Sequence, residues 1–479
     1  MIASLIGLSV RARWAVLLLF LAVAGIGVWQ LTKLPIDAVP DITNRQVQIN
    51  TVERGLSPIE IEKRVTFPIE TALAGIPGLE TTRSLSRNGF SQVTAIFTDQ
   101  TDLYFARQQV SERLTQARDS LPDGVQPQIG PVTTGLGEVL MYSVDFANPG
   151  GKGATIKDGQ PGWQRDGSFL TPEGDRLADD VSRAAYLRTV QDWIIRPQLR
   201  TVQGVAGIDS IGGYAKQYIV EPDPVKLSNY GISFSELAKA LEAANLAVGA
   251  NYFNRGGEAF LVRADARIRD LDEITDAIVA TRGGIPVAIK DVANVRIGGE
   301  LRTGAASMNG HEAVIGTALM LIGENSRTVA GAVRDRLDSI AKSLPPGIKV
   351  TPVLDRSKLV NATVSTVQRN LAEGAVLVAA ALFLLLGNWR AALIAVLVIP
   401  FSFLMMAMGM NAFRVPGNLM SLGALDFGLI VDGAVIIIEN CLFRLAHRQE
   451  HEGRLLTLRE RLEETMRASQ EMIKPTVFG

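Results

Sequence analysis

The 479-residue sequence has almost none of the cysteine and histidine that build disulfides and zinc sites. Cys441 is its only cysteine, so no internal disulfide can form, and neither CxxC nor a Cys/His zinc spacing occurs. Of three histidines, only His311 precedes residue 440. Lys and Arg number 48 against 49 Asp and Glu, and this balance gives no reason to expect a nucleic-acid partner. Disulfide scaffolds, zinc modules and polyanion binders are therefore excluded.

Long apolar runs are also missing, but only from the middle of the chain. Trp14–Leu31 carries no charge and is close to the ~20 residues that cross a bilayer core. No comparable run follows until Leu371–Leu386, Ala391–Met410 and Gly417–Ile438. The first run resembles a signal peptide, but it is longer than the usual apolar region and no clear A-x-A cleavage site follows. We therefore expect an uncleaved first span and three later ones.

The charges that flank these runs predict their orientation. Arg11 and Arg13 precede the first span and favour a cytoplasmic N-terminus. With one span before it, the polar stretch of about residues 34–370 would then lie outside the membrane, on the periplasmic side. The segment after Asn440 would lie in the cytoplasm, and three arginines there fit this orientation: Arg444, Arg448 and Arg454.

The extramembrane part shows strands and helices in a repeated order. Val47–Val52 and Ser91–Phe97 alternate as strands do, and Ser57 with Pro58 predicts a helix start between them. A similar order returns from Val139–Phe146 onwards. The pattern predicts a duplicated ferredoxin-like β-α-β subdomain, and the second copy is interrupted at roughly 215–300.

Candidate ligand-binding motifs in this part are weak. The glycine-rich Gly151–Ser168 fits neither GxxxxGK[ST] nor GxGxxG, so we expect a surface loop. His311 is expected to be an exposed turn residue. Three methionines without close spacing are expected to pack in the core: Met141, Met308 and Met320. No metal site can be assigned from these residues.

Three carboxylates occupy the last apolar run, LDFGLIVDGAVIIIEN: Asp426, Asp432 and Glu439. An acid at the middle of a membrane costs about 2.5–3.5 kcal/mol on insertion scales. Burial favours the neutral form of a carboxyl group, so an acid in this setting can load and release a proton. The pattern therefore indicates a proton relay.

Helix geometry divides the three acids. Asp432 and Glu439 are seven residues apart, almost two full turns, so they fall on one stripe. Asp426 lies six residues before Asp432, about 120° away around the helix. Glu439 fits an interfacial position as well as a relay, and Asp426 could instead be the structural partner of a basic residue on another helix. A purely structural role fits Asp432 least.

These features together resemble the resistance–nodulation–division (RND) efflux transporters. The resemblance rests on the first span, the LPIDAVPDI stretch after it, the double β-α-β insert and three further spans. The motif DFGLIVDGAVIIIEN is similar to that of the heavy-metal efflux branch, in its zinc, cobalt and cadmium subgroup. The copper/silver subgroup usually lacks the acid at the position of Asp426. The resemblance implies a proton antiporter rather than an enzyme, without a cofactor, whose substrate is the metal ion and whose relay acids are Asp426, Asp432 and Glu439.

The resemblance also implies an architecture like that of the multidrug-efflux transporters. A transmembrane helical bundle carries an α+β periplasmic porter domain with duplicated ferredoxin-like subdomains. The expected divisions are the N-terminal segment and first span (1–33), a first porter subdomain (34–135), the first part of a second (136–214), a docking subdomain (215–300), the second part of the second porter subdomain (301–355), spans two to four (356–440) and a cytoplasmic amphipathic helix (441–479).

Further expectations concern assembly. Members of the family are about twice this length, so the chain is expected to be a truncated, N-terminal half. The resemblance implies a homotrimer in the bacterial inner membrane that works with a periplasmic adaptor and an outer-membrane channel, with Asn245–Phe260 as an arm reaching a neighbouring protomer. Four alternatives stay open: a pump of the same fold for organic compounds, monovalent copper or silver export, a protein-translocation or lipid-handling factor, and a membrane-anchored binding protein.

Overall fold

The computed structural model describes residues 2–34, 43–265, 267–300, 302, 304–413, 415, 417–418 and 427–478. The helices are α1 (Ile2–Arg11), α2 (Arg13–Lys33), α3 (Pro58–Ile61), α4 (Phe67–Leu73), α5 (Leu103–Gln116), α6 (Asp180–Thr189), α7 (Arg196–Leu199), α8 (Pro224–Tyr230), α9 (Phe234–Ala244), α10 (Leu271–Thr275), α11 (Ile289–Val292), α12 (Ser326–Ala341), α13 (Arg356–Leu386), α14 (Trp389–Ala412), α15 (Phe427–Glu452) and α16 (Leu458–Phe478). Two π-helical segments, Glu62–Thr66 and Val190–Ile195, join α3 to α4 and α6 to α7.

The strands are β1 (Arg45–Val52), β2 (Leu79–Arg87), β3 (Phe90–Phe97), β4 (Gln128–Ile129), β5 (Glu138–Phe146), β6 (Gly162–Trp163), β7 (Phe169–Leu170), β8 (Arg176–Leu177), β9 (Val205–Ile211), β10 (Lys216–Pro222), β11 (Ala247–Arg255), β12 (Glu258–Asp265), β13 (Ile278–Arg282), β14 (Ile285–Ala288), β15 (Ala293–Gly299), β16 (Ser307–Met308), β17 (His311–Glu312), β18 (Val314–Met320) and β19 (Ile348–Asp355).

The first extramembrane unit is a four-stranded sheet in the order β2-β3-β1-β4, with its helices packed on one face. Val47 and Ile49 of β1 point into the core and are fully buried, as the alternating sequence predicted. The Ser57 hydroxyl accepts a hydrogen bond from the Glu60 amide, and the Glu60 carboxylate accepts one from the Ser57 amide. This capping box places the helix start where Ser57 and Pro58 predicted it.

The second unit has a sheet in the order β19-β5-β18-β9. When the strands of each sheet are numbered by appearance, both sheets read 4-1-3-2. Tyr142 and Leu140 of β5 are fully buried beneath α12, which contributes Val333 and Leu337 to the same core. The two units therefore share one strand order and the same placement of helices on a single face.

A third set of elements interrupts the second unit between β9 and β18. Strands β10 and β15 pair at its base, with Lys216 opposite Gly299. Helices α8 and α9 share a small core with α10 and α11. Strands β11 and β12 form a two-stranded hairpin on which the Phe253 and Phe260 rings stack, with centroids 5.4 Å apart. The stretch Asn245–Phe260, predicted as an arm, thus lies largely within this paired hairpin.

The prediction of a surface loop at Gly151–Ser168 is partly wrong. Its second half contains β6, which pairs with β7 in a three-stranded sheet β6-β7-β8. Trp163 is 5% exposed and packs against Phe146 and Phe169, at ring-centroid distances of 5.4 and 5.5 Å. An isolated apolar residue in a polar stretch carries no periodicity, so sequence alone could not place it in the core.

Three helices within the described residues are long and apolar enough to span a membrane: Arg13–Lys33, Arg356–Leu384 and Trp389–Ala412. Helices α2 and α14 pack closely, because Gly27 lies against Leu404 and the Phe20 and Phe401 rings stack at 4.0 Å. Residues 419–426 of the fourth expected span lie outside the described residues. Its second half is part of α15, which continues well past Asn440 to Glu452.

Strand β19 runs into α13 without an intervening loop, so the second unit is joined directly to a helix that is long and apolar enough to span a membrane. The Asp355 side chain is 3% exposed and caps α13 by accepting a hydrogen bond from the Ser357 amide at 3.0 Å. Arg334 of α12 forms an ion pair with Asp355 and donates to the Ser357 hydroxyl at 2.7 Å. Strand, soluble helix and membrane helix therefore meet at one buried carboxylate.

The close approach of β18 to β5 predicts the effect of a methyl group at Gly316. A Cβ there would lie 2.2 Å from Cζ of the fully buried Tyr142, so Gly316→Ala should destabilise the protein by about 1–3 kcal/mol through overpacking. Thermal unfolding of the detergent-solubilised chain measures this. Gly331→Ala is the matched control: a Cβ at Gly331, in helix α12, meets nothing within 4 Å and should stabilise by up to about 1 kcal/mol. Equal melting temperatures for the two variants would contradict the packing described here.

Candidate functional site

Two of the three predicted relay acids lie on α15, which we call the acid helix. Asp432 and Glu439 are both exposed on it, and Asp426 lies outside the described residues. Within the described residues, neither the Asp432 nor the Glu439 side chain makes a hydrogen bond or an ion pair. The structure therefore places both acids on one exposed stripe, as the spacing predicted, and brings no described basic side chain to them.

The other faces of the acid helix are covered. Val435 and Ile438 pack against the apolar cluster that α13 and α14 form around Ala395 and Ile399. Gly433 faces α16, where a Cβ would lie 3.0 Å from Thr476 Cγ2. Each residue advances about 100° around a helix, so the stripe of Asp432 lies about 100° from that of Gly433. The acids thus occupy the side that neither α14 nor α16 covers.

Helix α16 runs antiparallel to the acid helix and contacts it through polar groups. The Asn440 side-chain amide donates to the Ala468 carbonyl oxygen at 2.9 Å. The Cys441 sulfur lies 3.8 Å from the Thr465 carbonyl oxygen and 3.5 Å from the Ser469 hydroxyl. Burial raises the pKa of the Cys441 thiol, and the hydrogen bond with Ser469 opposes this shift to a smaller extent. Cys441 is therefore a half-buried thiol at this helix interface.

Ion pairs continue the same interface beyond Cys441. Arg444 donates to Glu471 at 2.7 Å, and Arg448 donates to Glu464 at 2.8 Å. Arg454, beyond the end of the acid helix, donates to both carboxylate oxygens of Glu460. In the sequence these arginines are orientation signals, and their glutamate partners on α16 were not predicted. The glutamates on the following amphipathic helix were the signal that could have suggested them.

Metal-ligating side chains do not cluster in the part of the chain that the structure describes: no three His, Cys, Asp or Glu residues are placed to hold one ion. His311 is exposed, as predicted, but it lies in strand β17 directly after the Asn309-Gly310 turn and not in the turn itself. Met320 packs against the core of the second unit. Asp145 is a buried acid that the sequence analysis missed. Asp145 and His311 both line a cavity of about 250 Å³. Burial raises the pKa of Asp145, and the hydrogen bond from the Phe146 amide lowers it to a smaller extent.

The sequence profile of the AcrB/AcrD/AcrF family matches residues 5–479. The chain belongs to that family. These are RND transporters of the inner membrane rather than enzymes, and the relatives place the chain in the heavy-metal efflux branch. It is 65% identical to the nickel-cobalt-cadmium resistance protein NccA of Alcaligenes xylosoxydans xylosoxydans, over the whole chain and 44% of NccA. It is 50% identical to the cobalt-zinc-cadmium resistance protein CzcA of Cupriavidus metallidurans, over the whole chain and 43% of CzcA.

A solved structure supports the RND fold. The crystal structure of a heavy metal efflux pump matches 99% of this chain with a TM-score of 0.80 and 32% identity. The matched part is 43% of that pump's chain. The RND chain described here therefore spans less than half the length of these relatives.

The Arg454–Glu460 pair makes part of the stability of this RND chain dependent on pH. The Arg454 guanidinium and the Thr457 amide and hydroxyl lower the pKa of Glu460 from 4.5 to about 2. A lowered pKa in the folded state gives stability that is present above pH 4.5 and lost as the pH falls towards 2. The melting temperature of the wild type should therefore exceed that of Glu460→Gln at pH 6, and the difference should shrink at pH 3. A difference of equal size at both pH values would contradict this assignment.

Proposed function

We propose that this chain is part of a proton-driven exporter of divalent heavy-metal cations. The observation that carries the proposal is the stripe of Asp432 and Glu439 on a helix otherwise packed against apolar and polar neighbours. Carboxylates at membrane depth are expensive and mark proton or ion pathways. Membership of the heavy-metal efflux branch supports heavy-metal cations as the transported substrate.

The relatives support a divalent transition metal as the substrate. NccA is named for nickel, cobalt and cadmium, and CzcA for cobalt, zinc and cadmium. Asp426 fits this choice over monovalent copper or silver, because the copper/silver subgroup usually lacks that acid. The metal is the transported substrate, and no resident cofactor is proposed.

The roles of the acids follow from their positions on the acid helix. Asp432 would bind and release the coupled proton, because the residues after it are apolar as far as Ile438. Glu439 lies next to Asn440, where the polar contacts with α16 begin, and would exchange protons with the more hydrated end of the helix. Asp426 would be a third member of the relay. Protonation removes the negative charge and so lowers the free-energy cost of placing each carboxyl group in apolar surroundings.

We further infer that the two sheets are duplicated ferredoxin-like porter subdomains. Their common strand order and the helices on one face support this reading. The divisions at residues 33, 135, 214, 300, 355 and 440 are proposed with it. The inserted elements between β9 and β18 would be the docking subdomain of a homotrimer that works with a periplasmic adaptor and an outer-membrane channel.

The orientation can be tested with introduced cysteines in a Cys441→Ser background. Lys157 is exposed in the extramembrane part, and Glu450 is exposed near the end of the acid helix. In intact spheroplasts, a membrane-impermeant maleimide should label Lys157→Cys and should leave Glu450→Cys unlabelled until the membrane is permeabilised. The reverse pattern would overturn the proposed topology.

The relay is tested with Asp432→Asn in the full-length protein. Asn keeps the size of the side chain but cannot exchange a proton, so metal export should be abolished while expression is retained. Metal movement and proton flux should be measured together in proteoliposomes. Asp426→Asn should impair export strongly, and Glu439→Gln should have the weakest effect of the three.

Glu450→Gln is the matched control, since Glu450 lies on the same helix beyond the apolar stretch. It should transport normally. Wild-type metal and proton fluxes in Asp432→Asn would show that the acid has only a structural role. Cells that lack the pump should become sensitive to nickel, cobalt, cadmium or zinc; sensitivity to organic compounds alone, or to copper and silver alone, would favour the alternative substrates.

A further inference from the structure

The contact between the acid helix and α16 is ionic at one end and close-packed at the other. At the ionic end, Glu464 is only 7% exposed and lies against two arginines, with Arg448 at 2.8 Å and Arg444 at 3.9 Å. The Glu471 carboxylate accepts a hydrogen bond from Arg444 and another, at 3.4 Å, from the Asn440 side-chain amide. At the other end, Gly433 allows Thr476 to approach. These contacts cover the helix from the residue after Asp432 to beyond Glu439.

We propose that α16 acts as a clamp, which fixes the rotation of the acid helix about its axis and its position along that axis. Glu464 is the positioning residue on which this clamp depends. The clamp comprises Glu464 and Glu471 of α16 with Asn440, Arg444 and Arg448 of the acid helix. The clamp itself is independent of any transport activity. Its role in placing Asp432 and Glu439 rests on the proposed function.

The charge pattern specifies a single register for the two helices. A slip of one turn, about four residues, in one direction would bring Glu464 alongside Glu452, and the like charges would repel each other. A slip of the same size in the other direction would bring Glu464 alongside Arg444 and leave Glu471 opposite Asn440, without an arginine partner. Only the observed register pairs both glutamates with arginines.

Burial separates Glu464 from the other ion pairs of this region. Exposed pairs such as Arg459–Glu463 contribute little, because water screens them. Removing the charge of Glu464 instead leaves Arg448, which is mostly covered, with Glu452 as its remaining carboxylate partner. The clamp is therefore expected to open when Glu464 is neutralised and to stay closed when Glu463 is.

The only cysteine of the chain reports on this directly. Cys441 lies inside the clamp, half-buried against Thr465 and Ser469, so separation of the two helices makes its sulfur more accessible to a maleimide. In the detergent-solubilised wild-type chain, labelling should be slow. Glu464→Gln should accelerate it by about tenfold, since a buried ion pair loses one partner. Glu463→Gln, the matched control on the same helix, should label at the wild-type rate.

A charge exchange separates clamping from general destabilisation. Arg448→Glu should label fast, and the double variant Arg448→Glu/Glu464→Arg should return towards the wild-type rate, because the pair is restored with opposite polarity. An unchanged labelling rate in Glu464→Gln, or a double variant as fast as the single ones, would overturn the proposal. Circular dichroism confirms that each variant retains its helices, and a variant that has lost them is replaced in the comparison by Arg448→Gln.

The positioning role is tested by replacing the ionic clamp with a covalent one. Ser469→Cys places a second thiol opposite Cys441, where the sulfur and hydroxyl oxygen are now 3.5 Å apart, and diamide can oxidise the two thiols to a disulfide. In the full-length protein, Glu464→Gln should lower metal-driven proton flux and shift its pH profile, and the cross-link should restore both. Restoration absent despite complete cross-linking would mean that Glu464 does not act by position. Absence of transport in the wild type would instead count against the proposed function and leave the labelling result standing.

Discussion

The carboxylate of Asp355 is the point at which the soluble part of the molecule is joined to the membrane part. It ends strand β19, caps helix α13 and pairs with Arg334 of α12, and its own side chain is almost completely buried. A buried carboxylate is tolerated only when it is paired and hydrogen-bonded, so these three elements cannot separate without a large loss of free energy. Because no loop intervenes, a tilt of α13 in the bilayer must tilt the second sheet as well. The orientation of the second unit relative to α13 therefore depends in part on this carboxylate.

Much of the fold was predictable because local signals agreed with the final packing. The Ser57–Glu60 capping box, the alternation of β1 and the apolar lengths of α2 and α14 each specify an element without reference to distant residues. Strands β2 and β9 were missed. Residues of β2 are largely exposed on an edge of its sheet, so its sequence lacks the alternation that a half-buried strand shows. The burial of Trp163 was not predicted for a related reason, since its partners Phe146 and Phe169 come from other strands.

The candidate site divides in the same way. The common stripe of Asp432 and Glu439 follows from helix geometry, and the structure keeps it. The covering of the other faces depends on contacts with α14 and α16, and sequence periodicity does not contain those contacts. The arginines after the last apolar run have two roles, and the sequence indicated only one of them. Arg444 and Arg448 fit an orientation signal, yet in the folded chain both are bound to glutamates of α16, which also explains why the helix continues past Asn440.

The insertion in the second unit has a simple mechanical property. Its first and last strands, β10 and β15, are hydrogen-bonded neighbours from Lys216–Gly299 to Pro222–Ala293, so about eighty residues leave and re-enter the sheet side by side. Chain ends held this close make an insertion nearly independent of its host, because the host sheet needs only to keep two adjacent attachment points. Such a base allows the whole inserted piece to be exchanged between related pumps as one cassette. The insertion can then diverge in evolution while the host sheet and the helices attached to it stay unchanged.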